Sequence, residues 1–426
     1  MSRWTERTSL TSASSVLRAA LAQGLLDGVP AALFHDTGRA RARLGELRAL
    51  FPATTLHAVA IKANPLVELL RVLVSEGAGL EAASFEEVEL ALAAGCPPER
   101  LVYDSPAKTT GEIERALALG IHLNADNFVE IERIARVRAE KTPASKSVVG
   151  LRVNPMVGAG SIAITSVASR TSKFGVPIEA EEQIVAAFAE HPFLTALHVH
   201  VGSQGMALER LATGVARVWA LGEAIERRVG AGRIAVFDLG GGLPVAYRET
   251  DRVPSIGDYV GALKETVPAL FSSGKRLVTE FGRAIHATAG WAASRVEYVK
   301  RAGDEQQAVI HLGADLLVRR AYLPEEWHHD LAVLDAEGRP KEGPAAPWTV
   351  VGPLCFAGDV VSRGALLPAI EPGDFVVIHD VGAYTLSMWS RHCSRALPLV
   401  IGYDGDALAV LKERETTADV VAFWSR

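Results

Sequence analysis

Between about residue 30 and residue 290 the chain alternates, again and again, between a short apolar run and a longer stretch with helical spacing. The apolar runs fall near Leu56–Ile61, Gly79–Ala83, Arg100–Tyr103, Ile121–Asn124, Val148–Val153, Ala196–Val201, Ile234–Leu239 and Leu277–Glu280. Between them, Phe85–Ala94, Thr110–Leu119, Asn127–Ala139, Glu179–Glu190 and Arg210–Arg228 place apolar residues on one helical face and charges on the other. Strands separated by helices cannot pair as hairpins, so they must lie parallel under a helical cover. Eight of them predict a closed (β/α)8 barrel. The competing fold, an open doubly wound sheet, lacks its usual G-x-G-x-x-G after the first strand.

Past residue 290 the rhythm changes. Arg295–Val299, Ala308–His311, Trp348–Val351, Asp374–His379, Leu397–Gly402 and Ala407–Lys412 are short, rich in Val and Ile, and divided by Gly, Pro and Asp. That pattern predicts an all-β domain over 291–426, after a barrel over 30–290. Residues 1–29 carry one amphipathic helix, Ser15–Leu26, able to pack on either domain.

Composition narrows the function. Hydrophobic residues are 49% of the 426, enough for large cores, and 44 Lys and Arg against 50 Asp and Glu give no basic surface for nucleic acid. No apolar run is long enough to span a membrane, and the first fifteen residues, with Arg3, Glu6 and Arg7, do not read as a secretory signal. Three cysteines (Cys96, Cys355, Cys393) form neither a disulfide framework nor a metal-ligand spacing. The expectation is a cytoplasmic protein without a metal, acting on a small molecule.

Reactive groups on such a barrel belong at the C-terminal ends of its strands. Lys62 closes an otherwise apolar strand; alone it reads as an ordinary surface lysine, but a desolvated lysine can form a Schiff base with an aldehyde. Gly240, Gly241 and Gly242 follow a strand and can bare backbone N–H groups to an anion, with Ser203 and Arg283 as further phosphate partners. His198 and His200 share the inward face of a strand, and His198 reads as a core histidine. Glu280 ends a strand where a carboxylate is costly without a cationic partner. Lysine, glycine cradle, histidine and carboxylate on one rim are what pyridoxal 5'-phosphate requires.

These segments carry a resemblance. The chain resembles the fold-type III pyridoxal-phosphate decarboxylases of diaminopimelate, ornithine and arginine, and in wording the diaminopimelate enzymes most. The matching motifs are Ala60-Ile61-Lys62-Ala63-Asn64, His198 through Gln204, Gly240-Gly241-Gly242, Glu280-Phe281-Gly282-Arg283, Leu151 through Pro155 and Ser172 through Gly175. In the second domain they are Gly352 through Asp359 and Gly382-Ala383-Tyr384. The resemblance implies an alanine-racemase-like barrel with a C-terminal β-barrel domain, and a homodimer with shared active sites. Lys62 would carry the cofactor, with Glu81 and Gly282 also in its site. His200 would stack on its ring, Glu280 would hold the ring nitrogen, and Tyr384 would cap the phosphate or substrate. Cys355 of the partner subunit would return a proton to the product; apart from the resemblance it reads as a small buried residue.

Departures concern the substrate. Phe356 stands where the diaminopimelate enzymes have a glutamate, Arg319 fits a substrate motif whose tyrosine, Tyr322, comes one position early, and Phe281 replaces a proline. Ser390 through Ser394 replaces the usual tyrosine-asparagine pair. Replacing a carboxylate by phenylalanine changes which far end a substrate must have. The expected activity is α-amino-acid decarboxylation, on diaminopimelate or on a conjugated or carrier-linked amino acid of specialised biosynthesis. Glu280 and Cys355 speak against an amino-acid racemase, and the presence of Lys62 and Cys355 against a non-catalytic cofactor-binding protein.

Overall fold

The computed structural model describes residues 7–426. Arg3 and Glu6, and with them the start of the 1–29 segment, lie outside the described residues. The chain divides into two compact units: Arg41–Val245 with Val253–Ile285, and the residues before, between and after these.

The first strand, β1 (Ala31–Asp36), belongs to the second unit, where it pairs with later strands. The barrel begins with β2 (Leu56–Ala60), followed by β3 (Gly79–Ala82), β4 (Leu101–Asp104), β5 (His122–Ala125) and β6 (Val149–Asn154). A two-residue strand, β7 (Val176–Pro177), pairs with β6 alone. The remaining strands are β8 (Leu194–His198), β9 (Val236–Asp238) and β10 (Arg276–Thr279). All pairings are parallel; β10 returns to β2 and β5 joins β6, which closes a ring of eight. Each expected strand is present, seven of them within two residues of their expected bounds, while β8 ends three residues earlier than expected. The helices follow suit, from Phe85–Ala93 to the long Leu208–Val229.

Inside the ring, side chains two apart on a strand share a face. Ala58, Val102, Ala196, Val236 and Val278 form an apolar floor. Two residues further on, the same inward parity delivers Asp104, His198, Asp238 and Glu280, all nearly or fully buried. The apolar floor thus carries a charged layer, at the end of the strands where a barrel places its chemistry.

The second unit departs from the expected boundary at residue 30. Of the described residues it takes 7–40, Ala246–Arg252 and His286–Arg426. Its strands are β1 and β11 (Gly290–Ala302), β12 (Glu305–Ile310), β13 (Leu331–Leu334), β14 (Ala346–Val351), β15 (Val360–Leu367), β16 (Phe375–Ile378), β17 (Leu399–Asp404) and β18 (Ala407–Lys412). They form one mixed sheet of nine strands that branches at the long β11, which pairs with β1, β12 and β16. The N-terminal helix, Leu10–Ala22, buries Ala13, Val16, Leu17 and Ala20 in this unit's core, against Phe34 and Trp291. Those two rings stack with centroids 4.1 Å apart. Strand β1 is not among the expected strands, although its buried run, Ala31–Phe34, resembles a barrel strand in composition.

Candidate active site

Lys62 sits in a single turn, Ile61–Ala63, directly after β2. Glu81, fully buried on β3, accepts from its ammonium at 2.6 Å through Oε1 and also through Oε2. Burial pushes the Glu81 carboxyl up to about 8 against the pull of Lys62, with Glu280 and Asp104 adding to the rise. A carboxylate that holds a proton this readily can take one from the lysine beside it.

His200 lies past the end of β8. The Gly241 N–H donates to its Nδ1 at 3.2 Å. That nitrogen is therefore an acceptor, and the ring is neutral. Burial, helped by the charge of Arg152, lowers His200 to about 3, in agreement with the geometry.

The glycine loop is built by close packing. A Cβ on Gly241 would lie 2.3 Å from the Glu280 carbonyl oxygen, and one on Gly242 would lie 2.0 Å from that of Gly202, at a φ of +107°. Gly240 donates to Asp238 at 3.0 Å and Gly241 to His200, so two of the three expected anion-binding amides are engaged within the protein. Gly242 is the loop amide left for an anion. Gln204 pins the segment with its side-chain amide, donating to the Val245 carbonyl at 2.7 Å and accepting the Val245 N–H at 3.0 Å. Beside it, Arg283 Nε donates to Ser203 Oγ at 3.3 Å, which pairs a guanidinium with a hydroxyl as anion binding needs.

Glu280 follows β10 and is held by its own N–H, which donates to the Gly240 carbonyl at 2.7 Å. Its Oε2 lies 3.5 Å from His198 Nε2, while Oε1 is buried without a hydrogen-bond partner. Burial alone would raise Glu280; the charge of His198 overrides it and holds the carboxyl well below the usual range. Phe281, where a proline was usual, packs edge-on against Tyr259 with centroids 5.7 Å apart. Its departure therefore falls in a helix-facing contact.

The charged layer contains residues that motif matching passed over. Asp104 meets Arg152 at 3.2 Å and His198 Nδ1 at 3.5 Å, and Asn124 reaches Asp238 at 3.5 Å. The signal that could have found Asp104 and Asp238 is parity, since each stands two residues beyond an inward apolar residue of its own strand.

The second unit, described by itself, holds the other expected residues. Cys355 is exposed on the loop Gly352–Asp359, and Phe356 stacks on the exposed ring of Tyr322 with centroids 5.4 Å apart. The loop closes around Asp359, whose carboxylate accepts from the N–H of Leu354 and of Ala314, each at 2.6 Å. Arg319 lies between the rings of Trp327 (4.6 Å) and Tyr384 (4.7 Å). Tyr384 has a φ of +57°, a strained value for a ring-bearing residue that the surrounding packing must enforce.

A partnerless buried carboxylate oxygen, a neutral histidine, a lysine paired with a proton acceptor, and a Ser–Arg anion site on one barrel rim fit pyridoxal phosphate. That fold and that rim define a pyridoxal-phosphate enzyme. Residues 38–287 match the pyridoxal binding domain of the pyridoxal-dependent decarboxylases. A diaminopimelate decarboxylase of Pseudomonas aeruginosa is 35% identical over 367 residues, 85% of each chain. The structure of diaminopimelate decarboxylase from Helicobacter pylori, complexed with L-lysine, superposes with a TM-score of 0.82 at 27% identity, over 92% of this chain and 96% of that one. A lysine/ornithine decarboxylase from Vibrio vulnificus, complexed with putrescine, shares the fold at a TM-score of 0.75 and 23% identity, over 91% of this chain and 98% of that one. The chain belongs to the pyridoxal-dependent decarboxylase family, and is thus a carboxy-lyase with pyridoxal 5'-phosphate as its cofactor. Among the described residues no helix is long and apolar enough to cross a membrane.

Proposed function

We propose that the protein removes the α-carboxylate of an amino acid of the diaminopimelate type, with Lys62 as the lysine that binds the cofactor. The observation that carries this reading is the Lys62–Glu81 pair at the end of β2 and β3, beside Glu280 with its unpartnered Oε1. When bound, pyridoxal phosphate supplies an aldehyde for the amine and a ring that takes up the electrons left by carbon dioxide. The chain's own residues do the rest. Glu81 takes the proton that Lys62 Nζ must lose before its lone pair can attack. Neutral His200 covers one face of the ring site without adding charge, and Glu280 Oε1 is available to a protonated ring nitrogen. Ser203, Arg283, the Gly242 amide and Tyr384 are the phosphate partners, with Gly240, Gly241 and Gly282 permitting close backbone approach. Arg283, Arg319, Phe356 and Tyr384 face the substrate in this reading. Cys355 of the partner subunit returns the proton to the α-carbon, which makes the working unit a homodimer; the proposed compartment is the cytoplasm.

The Tyr322–Phe356 stack supports a second reading of the substrate alone. An aromatic pair where the diaminopimelate enzymes have a carboxylate suits a far end that is conjugated or uncharged. A carbon dioxide release assay with meso-diaminopimelate, lysine, ornithine, arginine and N-conjugated diamino acids tests both. Release from at least one is expected. Release from none contradicts the activity, and release confined to diaminopimelate discards the second reading.

A further inference from the structure

His198 is fully buried at the end of β8, and both of its ring nitrogens face carboxylates. Nδ1 lies 3.5 Å from Asp104 Oδ2 and Nε2 lies 3.5 Å from Glu280 Oε2. These are ion contacts, longer than well-aligned hydrogen bonds, and neither nitrogen has another partner. An ionised carboxylate only accepts, whereas a neutral imidazole always carries one lone pair. A neutral His198 would turn that lone pair on an anion whichever tautomer it chose. Only the imidazolium, a donor at both nitrogens, agrees with both neighbours.

Of the cations acting on Glu280, His198 pulls most strongly, and Lys62 adds to it. Asp104 also meets Arg152, at 3.2 Å. Asp238 is raised well above its ordinary value, by burial and then by Glu280. His122, on β5, is lowered to about 4 by burial and then by the charge of His198 itself, and stays neutral. His200 Nδ1 lies 3.9 Å from Glu280 Oε2 but already accepts from Gly241. Burial works to lower His198, yet Asp104 and Glu280, with Asp238 behind them, raise it to about 9.

We propose that His198 is a positioning residue: an imidazolium clamped between Asp104 and Glu280 that keeps Glu280 ionised and engages its Oε2, so that Oε1 is the oxygen left for the cofactor's ring nitrogen. The clamp decides where one proton sits. With His198 charged, Glu280 is an anion and the proton belongs to the ring nitrogen. Without that charge, Glu280 stands in a buried site among carboxylates, and the proton passes to it. The ring then loses its capacity to take up electrons. This inference rests on the pyridoxal reading of the site and adds a role for the first histidine of the segment His198 through Gln204.

The test begins with the natural protein. With 15N-labelled histidine, NMR of both the cofactor-free and cofactor-loaded forms is expected to find His198 protonated on both nitrogens at neutral pH, and to lose that state only as pH approaches about 9. A neutral His198 at neutral pH overturns the proposal. In loaded His198→Gln, with 15N in the cofactor ring, the ring nitrogen is expected to be unprotonated, and kcat to fall about 10- to 100-fold with KM little changed. A ring nitrogen still protonated in that variant overturns it as well. Asp104→Asn removes one anion, so His198 should lose its proton at lower pH, and the loss of ring-nitrogen protonation should move to lower pH with it; an unmoved profile contradicts the clamp. A divalent metal retained in stoichiometric amount would assign the three side chains to an ion instead. Failure of the natural protein to develop a visible cofactor band would strike the pyridoxal reading alone, because the charge of His198 is still read in the cofactor-free form.

Discussion

The charged layer of the barrel and the loop around Asp359 use buried carboxylates in opposite ways. In the barrel, Glu81, Asp104, Asp238 and Glu280 face one another and the cations Lys62, Arg152 and His198, so each proton's position depends on its neighbours. In the loop Gly352–Asp359, buried Asp359 accepts from two backbone amides, those of Leu354 and Ala314, and shapes the backbone. One set is arranged to move or hold protons, the other to fix backbone. Burial alone therefore does not mark a catalytic carboxylate, and neither does a single cationic partner, since buried Asp374 pairs with Lys341 in the sheet unit; what sets the barrel layer apart is several ionisable groups facing one another.

The sharpest break of this contrast comes from removing the central ions. Lys62→Ala is expected to abolish the visible cofactor band and to cut activity by about 10^4-fold, the scale for loss of a covalent group. Glu280→Gln keeps the shape but not the charge; kcat should fall about 10^2- to 10^3-fold while the cofactor still binds. Steady-state kinetics and absorbance spectra check both. In the sheet unit, Asp359→Asn weakens the acceptor for two amides, a cost of about 1–3 kcal/mol. Its expected signature is faster amide exchange in Gly352–Asp359, with the cofactor band intact.

The titration behaviour separates the units more finely. Folded His198 is raised to about 9, so its stabilisation is complete below its ordinary value and is lost as pH rises through about 9. Glu81, an acid raised to about 8, likewise contributes fully below its ordinary value, and that contribution is lost as pH rises through about 8. In the sheet unit, burial lowers His329 and His379 to about 4; their contribution is complete above the ordinary histidine value and is lost as pH falls through about 4. Hydrogen exchange at alkaline pH should therefore loosen the barrel interior before the sheet, and equal loosening would contradict the contrast. The smallest expected effect is Phe356→Glu on the half-buried loop. It should change stability by less than about 0.5 kcal/mol while shifting relative kcat/KM toward diaminopimelate.

Much of this was legible in the sequence. The eight barrel strands announce themselves by alternation with amphipathic helices, and Lys62, His200 and Glu280 by standing at strand ends. What escaped is instructive. β1 reads like the barrel's own strands but pairs with β11 and β17, partners more than 250 residues away, which no local pattern encodes. Asp104 and Asp238 look like ordinary strand-end residues until their inward parity is counted. His198 was read as a core histidine, and it is one by burial; only the carboxylates on both sides, from β4 and from the end of β10, reveal its charge. The glycine loop was read as a bare anion cradle, but Asp238 and His200 take two of its three amides.

The central claim is that the barrel rim is a pyridoxal-phosphate decarboxylation centre anchored on Lys62. Reducing the cofactor-loaded protein with borohydride fixes the cofactor to whichever lysine holds it, and peptide mass mapping then locates it. The account predicts a single modified peptide, with the added mass on Lys62. Modification of another lysine, or of none, would contradict it.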